Sequence, residues 1–173
     1  MEKGTIITMT PLQKEDLPQF KREVRAAFSV TVEEVFGSPE NGPLPSDADI
    51  DGSLAAADAH GFLLAENGRH VGGAIVRADA GSGKSSLELF YLLPEELGKG
   101  IGFRAWQTIE AAFPQTRVWE LYTPCFDKRN VHFYVNKCGF CIVEYFNAHH
   151  PDPHGIPGVD FFPFRKANAL NAQ

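Results

Sequence analysis

The chain has 173 residues and a formal net charge of −6, and 43% of its residues are hydrophobic. This length is typical of one domain, here residues 1–173, with a self-sufficient core, and the composition excludes collagen, a coiled coil and wholesale disorder. The negative charge disfavours nucleic acid as a partner, and the stretches free of charged residues are too short for a membrane helix.

The N-terminal segment and the cysteines indicate the cellular compartment in which the protein is found. The segment is too polar for the core of a signal peptide, so we expect a cytoplasmic protein. Cys125, Cys138 and Cys141 contain one C-x-x-C spacing, with no second pair to complete a four-ligand zinc site. A redox pair normally opens a helix, whereas Cys138 and Cys141 straddle a predicted helix end. We therefore interpret the three cysteines as buried thiols.

The chain opens with a strand and two helices. A short β-branched run predicts a strand over residues 5–9. Apolar residues then recur at helical spacing and predict a helix over about 16–34. The segment 37–45 contains two glycines and three prolines and is predicted to be irregular. Ser46 or Asp47 can then cap an alanine-rich helix.

A hairpin follows these helices. Asn67-Gly68 lies between two apolar runs and suits the positive φ angles of a two-residue hairpin turn, which predicts two antiparallel strands. A glycine-rich loop then leads into a third strand over 86–93. This loop contains Gly83-Lys84-Ser85, like the end of a Walker loop, but Ala78 stands where that motif needs glycine. Because the loop also joins two strands, we interpret it as a hairpin loop rather than as part of a P-loop nucleotide hydrolase.

The second half alternates strands with single helices. Helices are predicted over 101–113 and 127–137, and strands over 117–123 and 140–146. Strands separated by single helices imply parallel, right-handed crossovers. The expected fold class is therefore α/β, with a central mixed sheet of about six to seven strands and helices on both faces.

A second glycine-rich segment, Leu97-Gly98-Lys99-Gly100-Ile101-Gly102, follows the third strand and opens a helix. Glycines let the backbone approach a ligand closely, and the free amides of a helix's first turn favour an anion. A pyrophosphate fits such a cradle. A Rossmann dinucleotide loop would need a third glycine where Ala105 stands, which argues against a nicotinamide cofactor.

These residues resemble a known family. The strand ending Leu92-Leu93-Pro94, followed by Gly98-x-Gly100-x-Gly102 at a helix start, is similar to the acyl-CoA-binding signature of the GNAT superfamily of N-acetyltransferases. The next helix carries Asn130, Tyr134 and a closing Gly139-Phe140, similar to the family's Asn, Tyr and Gly-Phe pattern. The resemblance covers nearly the whole chain and is strongest over 85–146.

The resemblance implies a GNAT-like fold, acetyl-CoA as the cofactor and N-acetyltransferase activity. Amides near Leu92 and Leu93 are placed to serve the thioester and the pantetheine arm, and Tyr134 is the candidate donor of a hydrogen bond to the departing CoA sulfur. The cofactor-binding set implied is Leu92, Leu93, Leu97, Gly98, Lys99, Gly100, Ile101, Gly102, Phe103, Asn130 and Tyr134.

Three positions depart from the family pattern. Leu97 stands where the family usually has Arg or Gln, and Asn130 lies nearer the tyrosine than the family's Asn commonly does. Tyr134 lies five residues before Gly139, whereas in many members the separation is four. One residue rotates an α-helix by about 100°, so Val135 occupies the usual position. We retain Tyr134 as the candidate.

Acyl transfer to an amine requires a base that accepts the amine's proton. Glu88 and Glu120 interrupt apolar strands beside the presumed cleft and are the candidate catalytic carboxylates, although alternation along a strand could place either one outward. His132 is a third candidate, because histidine has an ordinary pKa of about 6.5.

Two further clusters have simpler interpretations. His149, His150 and His154 lie among prolines that leave no rigid geometry, so a solvated or substrate-covering loop is favoured and no metal is expected. Acids at helix starts ordinarily serve the helix dipole, and only as a patch could the acidic residues attract a cationic acceptor. The patch consists of Glu33, Glu34, Asp47, Asp49 and Asp51.

The sequence as a whole predicts an N-acetyltransferase that transfers an acetyl group from acetyl-CoA to a primary amine of a small molecule by direct attack on the thioester. The alternative is a non-catalytic CoA-binding or regulatory module of the same fold. Loops should select the acceptor, here the segments 37–59 and 146–160. The sequence does not fix the oligomeric state, and a homodimer is one option.

Overall fold

A computed structural model describes residues 4–168, which form a seven-stranded mixed sheet with helices on both faces. The strands are β1 (Ile7–Pro11), β2 (Ala59–Glu66), β3 (Arg69–Asp79), β4 (Lys84–Leu92), β5 (Val118–Pro124), β6 (Cys141–Ile142) and β7 (Phe161–Ala167). The helices are α1 (Leu17–Phe36), α2 (Asp47–Ala55), α3 (Ile101–Ala112) and α4 (Lys128–His132), the last of which continues into a π-helical turn over Phe133–Lys137. The predicted α/β fold class is confirmed.

The strand order is β1-β2-β3-β4-β5-β7-β6. The central pair β4 and β5 is parallel, and the other neighbouring pairs are antiparallel. No helix within residues 4–168 is both long enough and apolar enough to cross a membrane.

Local turn and cap chemistry in the first half matches the prediction. Ser46 caps α2, and its hydroxyl accepts the N–H of Asp49, while the Asp49 carboxylate accepts the N–H of Ser46. Asn67 and Gly68 have φ angles of 51° and 82° and connect β2 to β3. The Lys84 loop is a hairpin connection between antiparallel β3 and β4, as predicted.

The C-terminal part of the sheet differs from the prediction. The strand predicted over 140–146 is reduced to β6, and β7 lies outside every predicted strand because Pro163 interrupts its aromatic run. The long connection after β6 brings the chain back antiparallel, so β7 inserts between β5 and β6. The parallel direction is therefore confirmed from β4 to β5, and β6 also runs parallel to β5, although β7 separates these two strands.

The cysteines are also partly corrected. Cys138 is buried beneath the π-helical turn, Cys125 is half-buried and Cys141 is exposed, and all three are free thiols. Cys141 reaches solvent because it lies on β6, a two-residue strand at the edge of the sheet. The interpretation as buried thiols therefore holds for Cys138 alone.

The hydrophobic core is divided by the sheet. One cluster, on the α1 and α2 face, packs Phe20, Val24 and Ile50 against the sheet residues Ile75 and Leu89. On the opposite face, α3 and the π-helical turn cover a cluster whose largest buried side chains are Trp106, Trp119, Phe140 and Phe164. The strand β4 therefore has helices on both sides.

The parallel pair β4 and β5 separates along its length. Lys84, Ser85 and Ser86 pair with Val118, Trp119 and Glu120, and the pairing ends there although both strands continue. The strands diverge beyond this point and leave a gap in the middle of the sheet.

Candidate active site

The gap between the diverging strands opens into a cavity of about 840 Å³, called the large cavity below. It is lined by β4, by the segment that leads into α3, by α3 itself, by α4 with its π-helical turn and by α1. Nine of the eleven residues expected to bind the cofactor line it: Leu92, Leu97, Gly98, Gly100, Ile101, Gly102, Phe103, Asn130 and Tyr134.

Leu93 and Lys99 are the two that do not line the large cavity. The Leu93 N–H donates to the carbonyl of Val71 at 2.8 Å, so the expectation that this amide serves a ligand is wrong. The Lys99 side chain is exposed and its Nζ lies 3.3 Å from a carboxylate oxygen of Glu96.

The Leu93 bond fixes which β4 amides face the gap. In an antiparallel pair, hydrogen-bonded and non-hydrogen-bonded residue pairs alternate. Leu93 is hydrogen-bonded to β3, so Leu92 and Phe90 present their N–H and C=O groups away from β3. Because β5 has diverged at this level, these groups point into the large cavity.

The glycine turn before α3 forms one end of the large cavity. Gly98 and Gly100 have φ angles of 77° and 72°, a left-handed backbone that favours glycine. A Cβ on Gly102 would lie 3.3 Å from the Phe133 ring, so a side chain there would crowd the opposite wall. The N–H groups of the first turn of α3 have no partner within the helix, and they are available to an anion.

A chain of charges lies beside this turn. Arg104 Nη2 donates to Glu66 at 2.6 Å, Arg69 bridges Glu66 and Glu96, and Lys99 also pairs with Glu96. Three cations thus face two carboxylates, and Arg104 lines the large cavity. The local charge is positive although the chain as a whole is negative, which suits a phosphate group.

Tyr134 lies on the opposite wall, in the π-helical turn. Its side chain is 6% exposed and packs against Phe133, Phe140 and Phe164. Its hydroxyl has no hydrogen-bond partner within residues 4–168, and Tyr134 lines the large cavity, whereas Val135 does not. Burial raises the pKa of Tyr134 well above its ordinary value, and nearby Cys138 and Asp127 raise it further, so the phenol stays protonated.

A second cavity, of about 660 Å³, lies between α2, β3, β4 and the 146–160 loop, and is called the small cavity below. Glu88 lines it, and accepts a hydrogen bond from the Ser86 hydroxyl. Ile75 pairs with Leu89 and Val76 pairs with Leu87, so Glu88 is the extra residue of a β-bulge. The two loop segments expected to select the acceptor therefore meet beside this glutamate.

The sequence of residues 23–140, more than half of the chain, matches the Acetyltransferase (GNAT) family. The chain belongs to this family. It is also 48% identical over 142 residues to a Bacillus subtilis (strain 168) protein named Uncharacterized protein YrkN, a match that covers 82% of this chain and 77% of the relative.

Solved structures of N-acetyltransferases share the fold. The ribosomal-protein-S18-alanine N-acetyltransferase from Escherichia coli has a TM-score of 0.69 at 14% identity, with 94% of each chain covered. The PaiA N-acetyltransferase from Thermoplasma acidophilum, solved with coenzyme A, has a TM-score of 0.67 at 17% identity and covers 94% of this chain and 99% of its own. The spermidine N-acetyltransferase from Vibrio cholerae, solved with CoA and spermine, has a TM-score of 0.69 at 13% identity. The match covers 95% of the present chain and 96% of the Vibrio cholerae chain.

The large cavity also contains residues that the sequence did not single out. Residues on one face of α1 line it, and β4 and the π-helical turn each contribute a phenylalanine ring. A basic side chain comes from α4 and another from the π-helical turn. These residues are Ala27, Phe28, Thr31, Phe90, Phe133, Arg129 and Lys137. The two cations could have been found from the sequence, because they lie on the helix that carries Asn130 and Tyr134. The α1 residues could not, because their role depends on how α1 packs.

Asp127 is a buried carboxylate in the wall of the large cavity. Its Oδ1 accepts the N–H of Asn130 at 3.0 Å and so caps α4. Burial raises its pKa, although the hydrogen bond from Asn130 and the charge of Arg129 oppose this. Asn130 itself lines the large cavity with its half-buried side chain.

The other candidate bases have different surroundings. Glu120 accepts a hydrogen bond from Arg165 Nε at 3.0 Å and lines neither cavity. His132 lines the large cavity, and its Nδ1 accepts a hydrogen bond from Asn136 at 2.8 Å. Of the two predicted carboxylates, only Glu88 lines either of the two cavities described above.

The histidine-rich segment and the acid patch are accounted for by local contacts. Within residues 4–168, no group of three or more His, Cys, Asp or Glu side chains is arranged to hold a metal ion. Asp47 pairs with Arg25, and Asp51 pairs with Lys21 at 2.7 Å. Two of the α2 acids are therefore paired with cations of α1, Glu34 is paired with Arg129, and Asp49 lines the small cavity.

Proposed function

We propose that this chain transfers an acetyl group from acetyl-CoA to the primary amine of a small molecule by direct attack on the thioester. One observation carries the proposal. Phe90 and Leu92, whose N–H groups point away from β3, line one cavity together with the glycine turn before α3 and Tyr134. A cytoplasmic location, and one domain over 1–173, remain predictions of the sequence.

The residues of the large cavity fit acetyl-CoA. The first-turn amides of α3 and the Arg104 guanidinium would hold the pyrophosphate. Leu97, at the position where the family usually has Arg or Gln, has an apolar side chain, and Arg104 supplies a cation from the next turn instead. The N–H and C=O groups of Phe90 and Leu92 would pair with the amides of the pantetheine arm.

The cofactor supplies the acetyl group as a thioester, whose thiol is the leaving group. The N–H groups on β4 can donate to the carbonyl oxygen, which carries more negative charge as the amine adds. Tyr134 can donate to the sulfur. A phenol with an ordinary pKa near 10 is already a weaker acid than a typical thiol at about 8.5, and burial of Tyr134 widens that difference. Hydrogen bonding to the sulfur, without full proton transfer, is therefore the role we propose.

Glu88 is the better placed of the two predicted bases. Its carboxylate faces the small cavity and, among residues 4–168, accepts a hydrogen bond from the Ser86 hydroxyl alone, whereas the Glu120 carboxylate is held by Arg165. Glu88 is two residues from Phe90 along β4, a distance of about 7 Å. This separation suits a proton relay from the amine through one water molecule to the carboxylate.

The second candidate is a non-catalytic CoA-binding or regulatory module. Such a module would need the large cavity alone. The opening of the small cavity at Glu88, two residues from the large cavity's Phe90, favours an enzyme.

Release of free CoA thiol from acetyl-CoA, measured with a panel of amines, tests the proposal. An enzyme releases thiol in an amine-dependent manner, and Glu88→Gln should slow turnover by about 100- to 10,000-fold. The loss at Glu88 should exceed that from Glu120→Gln. A non-catalytic module would be stabilised against heat by CoA yet release no thiol with any amine.

A further inference from the structure

The small cavity lies on the α1 and α2 face of the sheet, away from α3 and α4. Its α2 wall consists of small side chains, Ala48, Gly52, Ser53 and Ala56, and its volume is about 660 Å³. The lining also includes the His154 imidazole, and it contains no large aliphatic side chain, so the cavity is mainly polar.

Glu88 connects the small cavity to the proposed reaction. The β-bulge removes this residue from the regular pairing of β3 and β4, at the level where β5 has just diverged. A group that enters the small cavity and contacts Glu88 is therefore about two strand residues, or about 7 Å, from the amides that face the large cavity. An amine bound there would reach the gap from the side opposite α3.

The fixed charges around the small cavity are unbalanced. Arg77 donates to Asp58 through Nε at 2.8 Å and through Nη2 at 3.4 Å, so its charge is matched before any ligand binds. Glu88 has the Ser86 hydroxyl as its partner, and Asp49 has the N–H and hydroxyl of Ser46, none of which is a cation. The carboxylates of Asp49, Asp58 and Glu88 therefore outnumber the Arg77 guanidinium, which also attracts Glu88, so the cavity has an excess of negative charge.

From these features we infer that the small cavity receives the acceptor, and that the acceptor is a small amine whose remaining groups are cationic or uncharged. This inference rests on the proposed function. A carboxylate on the acceptor would be repelled by Glu88 and Asp49. A second ammonium group, by contrast, would be attracted by Asp49 while the reacting amine contacts Glu88.

Three amines with the same four-carbon chain isolate the charge effect. We expect kcat/KM with acetyl-CoA to fall in the order 1,4-diaminobutane, 1-aminobutane and 4-aminobutanoate. Two carboxylates that lie about 5 to 10 Å from the terminal group of the bound amine predict that kcat/KM is about 10- to 100-fold higher for 1,4-diaminobutane than for 4-aminobutanoate. An equal or reversed order contradicts the inference.

A matched pair of variants on α2 locates the effect. Asp49→Asn removes one charge from the small cavity while an amide oxygen can still accept from Ser46, and should reduce the diamine to aminobutanoate ratio by about 3- to 10-fold. Asp47→Asn removes a charge from the same helix outside the cavity and should leave the ratio unchanged, because Asp47 is exposed and paired with Arg25. Equal effects of the two substitutions would show that the small cavity does not hold the acceptor.

The two proposals fail in different ways. If other amines are acetylated but none of the three four-carbon probes is, the acceptor class is wrong and the acetyltransferase function stands. If no amine of any class causes thiol release, the proposed function itself is wrong, and the inference fails with it.

Discussion

The backbone N–H of Cys138 donates to the carbonyl oxygen of Phe133, five residues earlier, at 3.0 Å. This bond belongs to a π-helical turn, which contains one residue more than an α-helical turn. It accounts for the unusual spacing of Tyr134 and Gly139. The extra residue is absorbed within the turn, so Tyr134 faces the large cavity although it lies five residues before the glycine.

Deleting Asn136 tests this explanation. The exposed residue is one of the five in the π-helical turn, and its removal should convert the turn to a regular α-helical one with Tyr134 still in the cavity wall. We expect the protein to fold and CoA to raise its melting temperature as in the wild type. Deleting the exposed Gln107 from α3 is the control, because every later residue of that helix would rotate by about 100° and the core should be disrupted. Equal damage from both deletions would contradict the explanation.

Local chemistry made part of this structure predictable. Asn67-Gly68 needs no distant contact to form its turn, and the glycines before α3 are similarly sufficient to predict a cradle. The orientation of the backbone amides at the end of β4, by contrast, depends on pairing with another strand. Leu92 and Leu93 are neighbours in a single apolar run, and only the pairing of Leu93 with Val71 on β3 determines which of the two N–H groups is free.

The different surroundings of Glu88 and Glu120 depend on tertiary packing. The bulge at Glu88 depends on the register of β3 against β4, and so could not be read from alternation along one strand. Glu120 also interrupts an apolar strand, but β7 brings Arg165 beside it, and β7 itself was hidden by Pro163. Both glutamates look alike in the sequence because their distinguishing partners are distant in the chain.

Tyr134→Phe should lower the turnover number by about 10- to 1,000-fold and leave the Kd for CoA little changed. The ring is kept, so packing against Phe140 and Phe164 survives, and the hydrogen bond to the sulfur matters mainly as the thiol departs. Steady-state kinetics with the best amine and calorimetric CoA titration measure the two quantities. Tyr145→Phe is the control, since Tyr145 is exposed and bonded to Asp160. Unchanged turnover in Tyr134→Phe would remove the tyrosine from the reaction.

Gly100→Asp should abolish most of the increase in melting temperature that CoA produces. Gly100 has a φ of 72°, and a Cβ there would lie 3.2 Å from Arg104 Nη1. The aspartate would add strain and a negative charge beside the amides of α3. Lys84→Ala, in the hairpin loop between β3 and β4, should keep the full increase. A thermal-shift titration with CoA checks both, and a retained shift in Gly100→Asp would place the phosphate site elsewhere.

Asp127→Asn should be at least as stable as the wild type at pH 7. Burial raises the folded-state pKa of Asp127 above the unfolded value near 3.9, so at pH values between these two pKa values the folded chain holds a proton that the unfolded chain has released. Stability from this group is therefore greatest below about pH 4 and is lost as pH rises through the folded pKa. Asparagine caps a helix about as well and carries no charge.

The stability of the variant relative to wild type should consequently increase from pH 4 to pH 7 in denaturant titrations. Asp127→Ala, which also removes the cap, should be less stable than Asp127→Asn by about 1 kcal/mol at either pH. A variant advantage that is larger at pH 4 than at pH 7 would contradict the assignment of burial as the dominant influence on Asp127.

A crystal structure of the CoA complex is the most direct test of the central claim, that the gap between β4 and β5 binds acyl-CoA for acetyl transfer. The account predicts the pyrophosphate on the first-turn amides of α3, the pantetheine arm along Phe90 and Leu92, and the sulfur within hydrogen-bonding distance of the Tyr134 hydroxyl. CoA bound outside the large cavity, or a sulfur that faces Val135 with the phenol turned away, would contradict it.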